Sequence, residues 1–151
     1  MDNSTVIDTL NELIENCKDG EYGFTSAAEH ARTEALKQEF RSRADDCHKG
    51  ARELQELVRQ LGGKSVDDGT LAGAAHRGWV AVKGVLAGYS DLSMLEEAER
   101  GEDTAVERFR MALTKDLPPN VRSVVQHQFE GAKRNHLQIR TLRDQAKIAN
   151  D

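Results

Sequence analysis

The feature that most constrains the fold is the spacing of apolar residues in Leu92–Leu113. Leu92, Leu95, Ala98, Ala105, Val106, Phe109, Ala112 and Leu113 recur at intervals of three and four. That is the pattern of a helix burying one stripe. The same rhythm runs through most of the chain, and no segment alternates as a strand would. An all-helical fold follows. Two acids interrupt the stripe. Glu99 lies four residues after Leu95, and Glu102 lies three before Ala105 and seven before Phe109. A carboxylate on a buried stripe must be paired, hydrogen-bonded, protonated or bound to metal.

Other segments repeat the pattern. The first helix is predicted to start near Thr5, capped by Asn3 or Ser4. Its stripe runs Val6, Leu10, Leu13, Ile14, Cys17, Phe24, Ala27, Ala28 and Ala31, and passes through Glu21 between Gly20 and Gly23. The second carries Leu36, Phe40, Ala44, Cys47, Ala51, Leu54, Leu57, Val58 and Leu61. Thr33 is its candidate cap, the turn is placed near residue 35, and Gly62-Gly63 stops it. Leu71–Leu86 is predicted helical and apolar on two sides, with Trp79 anchoring it. Asp91 or Ser93 caps the central helix, and Ser93 with Glu96 suits a capping box. Pro118 and Pro119 mark a turn and the start of the last helix. That helix follows Val121, Val124, Val125, Gln128, Ala132, His136, Ile139, Leu142 and Ala146.

Composition narrows the function classes. A chain of 151 residues can bury a real core. Its formal net charge of −5 weighs against nucleic-acid or anionic-membrane binding. No apolar run is long enough to span a bilayer. The first residues lack the basic start and apolar core of a signal peptide, so a cytoplasmic location is expected. Cys17 and Cys47 match no zinc or CxxC spacing and read as small buried hydrophobes.

Four long helices in two hairpins, with a long connection holding an extra short helix, make a single domain over 1–151. That is the ferritin-like arrangement. Such bundles hold metal at mid-height on carboxylates from each helix and on Glu-x-x-His pairs. Carboxylates suit hard iron or manganese and balance its charge, and histidine completes the shell. Counting from the turns brings Glu21, Glu53, Glu99 and His136 to one layer, with Glu102 and Gln128 about a turn away. These five, Glu21, Glu53, Glu99, Glu102 and His136, are the candidate metal ligands. Two departures stand against a complete site. Lys133 precedes His136 by three, and Glu53 is followed at that spacing by Glu56.

Several stretches together resemble a known group. They are CKDGEYGF around Glu21, LGG after helix 2, HRGW at His76–Trp79, ERGED at Glu99–Asp103, LPP at Leu117–Pro119 and NHLQIRTLRD from Asn135. They resemble an uncharacterised ferritin-like family of small bacterial four-helix-bundle proteins, classed as a domain of unknown function. The resemblance implies a ferritin-like fold and a bacterial source, and no assigned activity. Its likeness to ferritins and rubrerythrins is remote. Their iron chemistry carries over only to Glu21, Glu53, Glu99 and His136.

Two functions are expected from these residues. In one, mid-bundle carboxylates bind iron or manganese in stress defence, and Tyr22 or Tyr89 relays an electron. In the other, the bundle is non-catalytic and binds no metal. It keeps a degenerate metal site as a buried polar layer and works by association. Neither names a catalytic residue or a small-molecule substrate. The two-sided segment Leu71–Leu86 predicts self-association, as a homodimer.

Overall fold

The computed structural model describes residues 2–66 and 90–150. They form four helices: α1 (Asn3–His30), α2 (Glu34–Gln60), α3 (Asp91–Leu113) and α4 (Pro119–Asn150). No strand occurs among the described residues. The predicted helix over Leu71–Leu86, with Trp79, and Tyr89 lie outside them.

The helix ends correct three expectations. Asp2, not Asn3 or Ser4, caps α1, and its carboxylate accepts from the backbone and hydroxyl of Thr5 at 2.9 Å. Aspartate gains here because it also meets the positive end of the helix dipole. Thr33 caps α2 as expected, but α1 already ends at His30, so the turn spans residues 31–33 rather than centring near 35. Ser90 caps α3 by accepting from the Ser93 backbone, which leaves no capping box on Ser93 and Glu96. The Asp91 carboxylate instead receives the backbone N–H groups of Arg32 and Thr33, tying the α3 entry to the α1–α2 turn. Pro119 opens α4, where a missing N–H costs nothing. Gly62 takes φ +78° behind α2, and Gly63 N–H reaches Val58 O, the left-handed stop that glycine permits.

The apolar stripes meet in two separate cores. One joins Val6, Leu10, Leu13, Ile14, Leu54, Val58, Phe109, Val121 and Val125. The other joins Phe24, Ala28, Leu36, Phe40, Met94, Leu95 and Ile139 at the opposite end. Between them lies a band of thiols, carboxylates, amides and guanidinium groups. Within each hairpin, α1 with α2 and α3 with α4, the helices pack closely. The hairpins meet more thinly, through α1 with α3 and least of all α2 with α4. So α1 and α4 stand at opposite corners.

Candidate functional site

The middle band is built from glycines and from long polar side chains. A Cβ on Gly20 would lie 2.8 Å from the Cys47 sulfur, and one on Gly50 would lie 3.6 Å from the Cys17 sulfur. Each helix of the first hairpin thus seats the other's thiol over its glycine. Both cysteines are free. Burial pushes the Cys17 thiol up to about 12 and lifts Cys47 well above the ordinary thiol range. Neighbouring carboxylates raise Cys47 further. Both shifts favour the protonated thiol at neutral pH.

Register decides which candidate ligands meet. Glu21 faces His48 at 3.0 Å, with Lys18 at 3.8 Å on its other oxygen. Glu53 accepts from the Gln128 amide at 2.8 Å, and the same amide donates to Gly50 O at 3.2 Å. Glu99 pairs with Arg143, and His136 with Asp103. The expected layer of Glu21, Glu53, Glu99 and His136 therefore does not form. Across the α1–α2 turn Glu21 reaches His48, five residues before Glu53. Across the α3–α4 turn the offset runs the other way, and Glu99 reaches Arg143, seven residues beyond His136. Among the described residues, no three His, Cys, Asp or Glu side chains gather in an arrangement that could hold a metal. As arranged, the donor set does not fit a resident metal ion.

Glu102 stands apart from these pairs. It is 7% exposed, deeper than Glu99. Burial pushes its carboxyl up to about 7; Arg43 draws it back, while Asp46 and Asp103 push it further up. It opens onto a cleft of about 230 Å³ between α1 and α3, with Asp19, Phe24, Cys47, Ala98 and Arg108 around it. Asp19 is raised too, chiefly by burial, and its Oδ1 is buried without a hydrogen-bond partner. Arg43 is the residue that sequence reasoning missed. From α2 it donates to Asn135 and to Gln138 (3.2 Å) on α4, and pairs with Asp46 at 3.4 Å. Its side chain is only 11% exposed. A guanidinium breaking an apolar stripe between Phe40 and Ala44 was the available signal.

A family model described as a domain of unknown function (DUF2383) matches residues 5–115. The chain belongs to that family. No curated protein matches the chain. Among solved structures, the bacterioferritin-related protein from Bacteroides fragilis, described as a dodecameric thioferritin, is similar with a TM-score of 0.77. The match covers 99% of this chain and 91% of that one at 17% identity. Likeness at that identity shows the fold alone. This member of the family is a ferritin-like, all-α four-helix bundle, as the resemblance implied. No helix among its described residues is long and apolar enough to cross a membrane.

Proposed function

We propose that the protein is a non-catalytic ferritin-like bundle that works by association, with the remnant of a metal layer kept as a charge-compensated band. One observation carries this reading. Candidate carboxylates are answered by the chain's own groups: Glu21 by His48 and Lys18, Glu99 by Arg143, Glu53 by Gln128. A guanidinium at mid-height supplies the charge that a cation supplies elsewhere. The exposed Met111, Leu137 and Ile148, and a fold neighbour that is dodecameric, support self-association, with a homodimer as its smallest form. The predicted cytoplasmic location fits this reading.

A second reading is favoured by Glu102 alone. A buried carboxyl that holds a proton near neutrality can exchange it for a divalent ion, and iron or manganese is the metal expected. Glu99, three residues before Glu102 on α3, has its Oε2 buried without a hydrogen-bond partner. One experiment separates the readings: anaerobic thermal melting of wild type and Glu99→Ala, each with and without ferrous iron, beside metal analysis of protein purified without chelators. The association reading expects no iron-dependent rise in Tm and no stoichiometric metal. A rise in wild type that Glu99→Ala abolishes overturns it and establishes the metal site.

A further inference from the structure

The chain is acidic, yet one face of one helix is not. Lys133, Arg134, Arg140 and Lys147 are all exposed on α4; Asp144 lies between them, and Glu130 pairs with Lys133 at 3.1 Å at one end. At 100° per residue these side chains fall within one broad outward sector, together with Leu137 and Ile148. Leu137 is 63% exposed and Ile148 74%. Lys133, Arg140 and Lys147 repeat every seven residues, about 10.5 Å along the axis.

The opposite corner carries the complement. On α1, Asp8, Glu12, Glu15 and Asp19 recur at intervals of four, three and four, a single stripe down one side of the helix. Asp8 and Glu12 are exposed, and Glu15 and Asp19 are half-buried. Asp8 to Glu15 and Glu12 to Asp19 are again seven residues, about 10.5 Å. Arg108 and Lys115 are cations beside this stripe: Arg108 draws the Asp19 carboxyl down, and Lys115 donates to the Thr9 hydroxyl at 3.2 Å. Alongside runs a cleft of about 360 Å³ between α1 and α3, lined by Glu12, Leu13, Glu15 and the exposed Met111.

We propose that the basic face of α4 docks on the acidic α1 stripe and α1–α3 cleft of a second copy of this chain. The charges are opposite, the repeats are equal in length, and each face offers an apolar residue beside its charges. Leu137 and Ile148 supply the knobs, and the cleft at Met111 receives them. Contact between two different faces is heterologous, so each pair formed leaves one α4 face and one α1 face free. With α1 and α4 at opposite corners, one molecule can use both faces at once, and assembly runs past a pair until a ring closes.

This inference rests on the association reading, and charge reversal tests it separately. The first variant is Arg140→Glu with Lys147→Glu, acidic on both faces. The second is Asp8→Lys with Glu12→Lys, basic on both. The substituted positions are solvent-exposed, and circular dichroism checks that the helices are retained. Analytical ultracentrifugation at low salt is expected to show wild type above 16.8 kDa, falling toward it at about 0.5 M salt, where screening is short-ranged. Each variant alone is expected to be monomeric, with affinity weakened at least about tenfold, and an equimolar mixture to associate again. Association of the second variant by itself overturns the proposal, since its α4 face would then need no acidic partner. Self-association indifferent to salt and to both reversals also overturns it, yet leaves the association reading standing. A monomer under all conditions removes both. A monomeric wild type that sediments with phosphatidylserine vesicles reassigns the α4 face to a lipid surface.

Discussion

Glu102 shows how much one buried group decides. Its folded carboxyl sits near 7 against an ordinary 4.5, so the folded state holds a proton that the unfolded chain releases. The stability associated with that proton is complete below about 4.5 and is lost as pH rises through 7. The expected size is up to about 3 kcal/mol, from roughly 1.4 kcal/mol per unit. Chemical denaturation from pH 5 to 8 should show wild type weakening over that window and Glu102→Gln staying flatter; parallel profiles would refute the assignment. At Gly20 the issue is steric. Alanine there gains about 1 kcal/mol of helix propensity but drives its Cβ into the Cys47 sulfur. Gly20→Ala should lose about 1–2 kcal/mol in a urea melt, and Cys47→Ala in the same chain should restore it. Sequence placed Glu102 on the apolar stripe correctly, because burial follows the helical period. It missed that Glu99 would be answered by Arg143, because an ion pair between helices depends on a register that no local pattern contains.

Each helix was legible as an element, and the joints between helices were not. Stripes of Leu, Val, Ala and Phe identified α1, α2, α3 and α4, since the 3.6-residue period survives any tertiary arrangement. The α1–α2 turn holds no glycine or proline, so its place could be guessed only within about a turn of helix. Which residues meet across the first hairpin depends on that place, as the pairing of Glu21 with His48 does. The pairing of α3 with α4 is testable directly. Arg143→Met should cost about 1–2 kcal/mol, held down by the partial exposure of the pair, because Glu99 is left with a buried oxygen and no cation. Glu99→Gln added to it should recover much of the loss in a double-mutant cycle. Full additivity of the two changes would show that the pair contributes nothing. At the start of α1, Asp2→Ala should lower stability by about 1 kcal/mol and increase amide exchange in the first turn, since Thr5 loses its acceptor.

At the scale of the whole molecule, the described residues form two well-packed hairpins joined more loosely along α1–α3 and barely along α2–α4. Arg43 spans that weaker seam, bonding Asn135 and Gln138 across it. The turns of residues 31–33 and 114–118 that make the hairpins are both short. Most of the packing among the described residues therefore links two helices joined by a short turn. Each hairpin can zip from its own turn with little loop closure, and docking the two adds the cost of bringing together helices far apart in the sequence. Refolding should fall in the microsecond-to-millisecond range expected for proteins of low contact order, with substitutions inside a hairpin slowing folding and those along the seam speeding unfolding.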